Sequence, residues 1–432
     1  MKTALHWFRN DLRCADNTSL THACKAERVL ALYCFDPRFF EKDPYGFPRT
    51  GKFRAAFLRE TVEALSRELR GLNIPLFICP GRPEEAIPDL VTRFGISEIH
   101  AQREWTRDEA RINARVIRSL PPGVAFREHY DQFLFHPEDT PYTDFGRVPE
   151  VFTTFRKACE KEAAVRPCLP LPQKRPDAHW VEPESDLPGL EALGLEVPER
   201  DPRSAFPFRG GSTAAWERLD QYFWKTKRLS YYKKTRNGMV GTEYSSKFSP
   251  WLANGSLSAR QIYEQVKRYE KEVVRNQDTY WLVFELIWRD YFKFISLKHG
   301  NRIFHPGGIR EQGESHGLSD QWLRAWTLGQ TPDAFVNAHM TELRHTGWMS
   351  NRGRQNTASY WAKALGQDWR AGAAYFESML LDYDVHSNWG NWMYNSGVGN
   401  DPRDRTFNTA LQASRYDPNG AFRRLWLQPA LF

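Results

Sequence analysis

The sequence predicts an α/β N-terminal domain, a doubly wound parallel sheet, followed by an all-α domain, and three observations predict it. Up to residue 130, short apolar runs alternate with amphipathic stretches. From 131 to 205 proline replaces periodicity, and from 206 to 432 apolar residues return at three- and four-residue spacing. Strands alternating with helices favour parallel pairing with both sheet faces covered, whereas the three- and four-residue period buries one stripe of a helix. A chain of 432 residues is long enough for two or three such units.

In the first unit (1–130) the candidate strands are Ala4–Phe8, Arg28–Cys34, Leu76–Ile78, Glu98–Ala101 and Ala125–Arg127. Helical patterns fall between them at Leu20–Lys25, Phe53–Arg70, Pro83–Phe94 and Asp108–Ser119. Ligands of such sheets bind beyond the strand C-termini. No G-x-G-x-x-G or G-x-x-x-x-G-K-[ST] follows the first strand, so neither a dinucleotide fingerprint nor a P-loop is expected there. The second stretch (131–205) carries eleven prolines and reads as a long connection laid over the surface, with one short helix near Glu150–Glu162. In the third (206–432), Ser212–Thr226, Ser258–Val274, Gln277–His299 and Gln355–Leu365 carry the helical period, and Ser258 with Gln261 forms a capping-box start.

Composition narrows the function classes. Mean hydropathy is −0.64, and no apolar run approaches the roughly 18 residues of a membrane span. The start passes from Met1–Trp7 into Arg9, Asp11 and Arg13, which leaves no room for a signal-peptide apolar region. None of the six cysteines forms a C-x-x-C pair, so they read as free thiols of a cytoplasmic protein, and no metal site is expected. The net charge of +7 is uneven. Residues 1–200 hold 29 Lys+Arg against 31 Asp+Glu, whereas residues 201–432 hold 31 against 22. Thirteen of the sixteen tryptophans also fall after residue 200. A basic, indole-rich half suits a polyanion and flat stacking partners.

Four segments carry chemistry. In Tyr244-Ser245-Ser246-Lys247-Phe248-Ser249-Pro250, hydroxyls and a lysine precede a proline that suits a helix start, an arrangement able to seat a pyrophosphate; a Ser-rich capped turn would look the same. On one helix, Trp281, Glu285, Trp288 and Arg289 share a face by i, i+4, i+7 and i+8 spacing. Buried ions beside indoles are costly unless paired, so a cavity wall explains them better than a core stripe, with a surface ion pair as the plainer reading. Asn351-Arg352-Gly353-Arg354-Gln355 and Asp382-Tyr383-Asp384…Asn388…Trp392 offer arginines to one segment and aspartates to the other, and Arg354 with Asp382 is the expected salt bridge.

With His6-Trp7-Phe8-Arg9-Asn10-Asp11-Leu12-Arg13 followed by Asp16-Asn17, these segments, the Asn351–Gln355 one as a loop, resemble, in the family order, the motifs of photolyases and cryptochromes. Lys234-Thr235-Arg236-Asn237-Gly238, the Tyr-Ser-Ser-Lys-Phe-Ser form of the serine motif and Gln355 resemble the DASH subgroup in particular. The resemblance spans nearly the whole chain. It implies FAD bound in the helical domain, with Tyr232 and Ser245, Ser246, Lys247, Phe248 and Ser249 at its phosphates and ribityl chain. Arg289 joins that cofactor set. Arg354 and Asp382 would lie beside the isoalloxazine, Asp384 on the ribose side and Asn388 at N5. Glu285, Trp288, Asn351, Gln355 and Tyr394 would line the mouth and meet a cyclobutane pyrimidine dimer flipped out of its strand.

Tyr394 stands where classical photolyases carry Trp, which implies a weaker clamp and a preference for single-stranded DNA, with duplex DNA or RNA as other targets. Trp392 and Trp369 match the first two members of the family's electron-carrying tryptophan chain. His316 takes the third place, with Trp322 or Trp326 as substitutes. A second chromophore, 5,10-methenyltetrahydrofolate, would lie between the domains against Glu109, with Asp108 nearly as good a match. The implied activity is that of a monomeric, blue-light-dependent repair enzyme. The alternative is a blue-light photoreceptor or DNA-binding transcriptional regulator with little repair. The chain stops soon after Trp426, without the tail of a signalling cryptochrome, which weighs toward repair. A Rossmann-like nucleotide enzyme with a helical appendage would leave the helical motifs unexplained.

Overall fold

A computed structural model of the chain describes residues 2–183, 187–311, 317–403 and 405–428. Strands β1 (Thr3–Phe8), β2 (Arg28–Cys34), β3 (Leu76–Cys79), β4 (Ile96–Gln102) and β5 (Ala125–His129) form one parallel sheet in the order β3-β2-β1-β4-β5. Central β1 is buried along its whole length, and its alternate residues serve opposite faces. Ala4 and Phe8 pack with Leu20 of α1 (Thr18–Ala23) and with Val62, Leu65 and Leu69 of α2 (Lys52–Gly71). Leu5 and Trp7 pack with Ile87, Leu90 and Val91 of α3 (Pro83–Phe94) and with Ile112 and Val116 of α4 (Arg107–Ser119). The strand order reverses between β1 and β4, which opens a crevice at their C-terminal ends.

Beyond α5 (Phe152–Glu162) the structure is helical: α6 (Ser212–Asp220), α7 (Tyr232–Thr235), α8 (Ser249–Asn254), α9 (Ala259–Glu272) and α10 (Gln277–His299), then α11 (Asp320–Leu328), α12 (Ala334–Thr346) and α13 (Asn351–Ser359). α14 (Trp369–Met379), α15 (Val385–Ser396), α16 (Thr409–Tyr416) and α17 (Ala421–Leu427) complete it. The Ser258–Gln261 capping box starts α9 as its sequence requires. Two expectations need correction. The Asn351–Gln355 segment is not a loop before a helix but the first turn of α13, because the Ser350 hydroxyl caps it by accepting from the Gly353 N–H at 3.1 Å. Part of the proline-rich connection is not on the surface: Phe133, Leu134, Phe135, Phe152 and Phe155 are buried in the helical core. The Asp290 carboxylate on α10 accepts from the Leu134 and Phe135 N–H groups at 2.8–3.0 Å, which satisfies backbone that burial would otherwise orphan.

The loop after β1 ties the two halves together. Arg13 pairs with Asp131 and donates to the carbonyls of Asp16 and Gly255, and Arg260 of α9 pairs with both Asp16 and Asp131 at 2.8–3.1 Å. All four charged side chains are buried. Opposite charges neutralise in pairs and backbone groups take the remaining hydrogen bonds, the condition under which buried ions are tolerated. Gly255 lies against this loop with φ +75°, and a Cβ there would come within 2.0 Å of the Asn10 carbonyl oxygen.

Candidate functional site

Two cavities hold most of the candidate residues. The smaller, of about 410 Å³, lies inside the helical half. Tyr232, the Ser245–Ser249 segment, Glu285, Trp288 and Arg289 of α10, Asn351, Arg354 and Gln355 of α13, Asp382 and Asp384, and Asn388, Trp392 and Tyr394 of α15 all line it. The larger, of about 700 Å³, lies between the halves, at the crevice between β1 and β4. Arg9, Glu104, Asp108 and Glu109 of the α/β half face Lys293, Glu377, His386 and Trp389 of the helical half across it. Arg289, Tyr383 and Asp384 line both.

In the smaller cavity Arg354 donates to Asp382 at 2.9 Å, the pair expected from sequence. The Ser245–Ser249 segment leads into α8, which has only six residues, so the helix dipole expected there is short. Lys247 departs from the expected phosphate contact. Its ammonium lies over the Tyr244 and Trp348 rings, 3.1 and 4.7 Å from their centroids, and burial pushes its pKa well below the ordinary lysine value. Asn388 donates to the Ala373 carbonyl at 3.0 Å, which fixes its amide on α15. Asp384 caps α15, accepting from the Ser387 N–H at 2.8 Å, and receives Lys293 at 2.8 Å. Burial would raise its pKa; Lys293, His386 and Arg289 outweigh burial and hold the carboxyl far below the usual range.

Arg289 is committed to the backbone, donating to the carbonyls of Gln132 and Leu252, and so it braces the wall between the cavities. Of the indole face expected on α10, Trp281 does not join the cavity lining. It stacks on Phe284 with centroids 4.4 Å apart, beneath the Lys233 ammonium. Trp288 lines the cavity, but one face of its ring is covered by Phe152 at 3.6 Å, and the Tyr394 ring meets it edge-on at 6.0 Å. Glu285 is ion-paired with Arg236, and burial raises its pKa against the pull of that guanidinium. Lys247 Nζ, Asp382 Oδ1 and Trp392 Nε1 are buried without a hydrogen-bond partner in the protein. A cavity wall that offers an amine, a carboxylate oxygen and an N–H without hydrogen-bond partners suits a large polar ligand with both donors and acceptors, as a flavin dinucleotide is.

The larger cavity contains Glu109, whose carboxylate accepts from the Thr106 hydroxyl. Sequence reasoning missed its neighbour Glu104, which burial pushes up to about 7. It also missed Lys293, although Glu285, Arg289 and Lys293 recur every four residues along α10, a polar stripe visible in the sequence. Nor does residue type single out Arg236, the partner of Glu285, within its Lys- and Arg-rich segment. Trp369 lines neither cavity; it packs against Trp389 with centroids 5.6 Å apart. His316 lies outside the described residues. Among the described residues no group of three or more His, Cys, Asp or Glu is placed to hold a metal ion, and no helix is long and apolar enough to cross a membrane.

Comparisons with known proteins agree in both halves. Residues 4–177 match the model of the DNA photolyase family, and residues 281–431 match that of the FAD binding domain of DNA photolyase. A Gloeobacter violaceus protein described as cryptochrome DASH is 50% identical over 431 residues, covering 99% of this chain and 85% of its own. The solved structure of a Synechocystis cryptochrome aligns with a TM-score of 0.94 at 44% identity, over 99% of this chain and 89% of its own. An archaeal photolyase from Sulfolobus tokodaii, solved with two FAD molecules, aligns with a TM-score of 0.78 at 25% identity, over 99% of this chain and 90% of its own.

Proposed function

The chain belongs to the photolyase/cryptochrome family, in its cryptochrome DASH group, and from that premise we propose that it repairs cyclobutane pyrimidine dimers under blue light, preferring single-stranded DNA, by photoinduced electron transfer from reduced FAD. The observation that carries this reading is that the residues assigned to the cofactor and those assigned to the dimer line one cavity. Tyr232 and Ser245, Ser246, Phe248 and Ser249 would hold the phosphates and ribityl chain, the Arg354–Asp382 pair and Asn388 the isoalloxazine, and Asp384 the ribose side. FAD bound there supplies a one-electron donor that absorbs blue light. Glu285 hydrogen-bonds the edge of the flipped base, accepting from its N–H, an interaction of about 1.5–3 kcal/mol. Trp288 and Tyr394 stack against it, with Asn351 and Gln355 at the rim. In the larger cavity, Glu109 and Glu104 provide the acidic side of a 5,10-methenyltetrahydrofolate antenna site. The protein acts as a monomer in the cytoplasm.

Stacking contributes roughly 1–3 kcal/mol per base, and tyrosine at 394 offers less ring area than tryptophan to offset the unpairing that a duplex demands. The test is repair of a dimer-containing oligonucleotide under blue light, single-stranded against duplex, by wild type and Tyr394→Trp. Faster single-strand repair, with the gap narrowed by Tyr394→Trp, is the expected result. Equal repair of both strands' forms would end the single-strand preference. Flavin-loaded protein that binds both and repairs neither would favour the photoreceptor reading.

A further inference from the structure

Indoles gather where α14 and α15 meet. The Trp392 ring lies against α14 at Gly372, where a Cβ would come within 2.2 Å of it. One turn earlier on α14, Trp369 meets Trp389 edge-on, with centroids 5.6 Å apart, and Trp389 sits one turn before Trp392 on α15. On its other side Trp392 meets Trp326 at 6.1 Å, and Trp326 meets Trp361 at 5.0 Å. Trp392 and Trp369 share one buried cluster with Trp326 and Trp361, so among the described residues an electron vacancy on Trp392 has two ways outward through indoles.

The surroundings decide between them. Trp326 and Trp361 are fully buried. Trp326 Nε1 has no hydrogen-bond partner, and Trp361 Nε1 donates at 2.8 Å to the Asp368 carbonyl, which is no base. Positive charge left on either is an unpaired ion in the core. Trp369 is also buried and donates to the Pro306 carbonyl. Trp389 differs from all three. It is half-buried, lines the larger cavity, and its Nε1 donates to the Tyr383 hydroxyl at 3.3 Å, which in turn donates to Glu377 Oε2 at 2.8 Å. Burial raises the proton affinity of that carboxylate.

We propose that Trp389 is the outer end of an electron path Trp392–Trp369–Trp389, and that the Tyr383–Glu377 pair takes the proton of the oxidised indole. The proposal rests on the flavin reading above and adds the member that His316 leaves open. The oxidant is photoexcited, oxidised flavin. Trp392 gives up one electron and is refilled by Trp369, and Trp369 is refilled by Trp389. The Nε1–H bond of Trp389 then breaks. Its proton passes to the Tyr383 oxygen while the tyrosine's own proton passes to Glu377, leaving a neutral Trp389 radical, an intact tyrosine and a protonated carboxyl.

The test is flash spectroscopy of the FAD-loaded protein, reading the absorption of the indole radical. Wild type should show a neutral radical. Trp389→Phe should shorten its lifetime by about tenfold or more, the change given by ~1.4 kcal/mol of lost stabilisation. Tyr383→Phe, which keeps every indole, should show a cation radical in place of the neutral one, and Trp361→Phe should match wild type. An unchanged lifetime in Trp389→Phe, a neutral radical in Tyr383→Phe, or a shortened lifetime in Trp361→Phe would each overturn the path. A radical that survives in Trp392→Phe would overturn Trp392 as the first member of the path, whereas protein that cannot be loaded with FAD would overturn the flavin reading itself.

Discussion

The two cavities are neighbours that share Arg289, Tyr383 and Asp384, yet they are made in different ways. The smaller is built within the helical half, from segments whose residue types are odd for a core: hydroxyls before a proline, a carboxylate and guanidinium beside an indole, arginines facing aspartates. The larger exists only because two halves dock, and its walls come from strand ends and from helix faces far apart in sequence. A site contained in one domain leaves its signature in local patterns. A site made by docking depends on the contacts that hold the halves together.

Breaking that docking should have the largest effect. Arg260→Ala leaves Asp131 with Arg13 and the buried Asp16 carboxylate without a paired guanidinium, and removing one partner from a buried ion network costs about 3–5 kcal/mol. Chemical denaturation should show that loss, and the larger cavity should lose its ligand before the smaller one does. Next is a change confined to the larger cavity. Between an ordinary 4.5 and its folded value of about 7, Glu104 keeps a proton in the folded chain that the unfolded chain has released. Stability therefore falls as pH rises through that window, by up to about 3 kcal/mol, and Glu104→Gln should flatten the slope in denaturation measured from pH 4 to 8. The smallest change is confined to the helical cavity. Asp382→Asn removes the charge from the Arg354 pair, and a charge-assisted bond of about 1.5–3 kcal/mol predicts a fall in FAD affinity of roughly ten- to a hundredfold, read by titration of the apoprotein. Loss of global stability comparable to that of Arg260→Ala would show that the pair serves the fold rather than the ligand.

The same contrast governs what the sequence made legible. The five strands and the four helices around them were readable to within one or two residues at most ends, because each has one polar and one apolar face or a short, fully apolar run. α14 was not readable, since residues from Trp369 through Ser378 are buried almost without break and no amphipathic period survives. The burial of Phe133–Phe135 was hidden for a different reason: prolines around it signal irregular backbone, and irregular backbone does not imply exposure once Asp290 supplies hydrogen bonds. In the site, the Arg354–Asp382 pair was readable as complementary charge. The position of the Lys247 amine over Tyr244 and Trp348 was not, because residue type gives no direction.

The ion pair between Arg236 and Glu285 has a consequence for selectivity. On the proposed function, a base entering the cavity mouth would not find a waiting carboxylate; it would have to displace or share a guanidinium already there. Binding is therefore an exchange, in which a guest that offers Glu285 a good donor recovers the lost attraction and one that offers none forfeits it. Flat molecules of the right size that offer no such donor would be turned away by that toll rather than by shape, which would make the mouth a comparator of hydrogen-bonding edges.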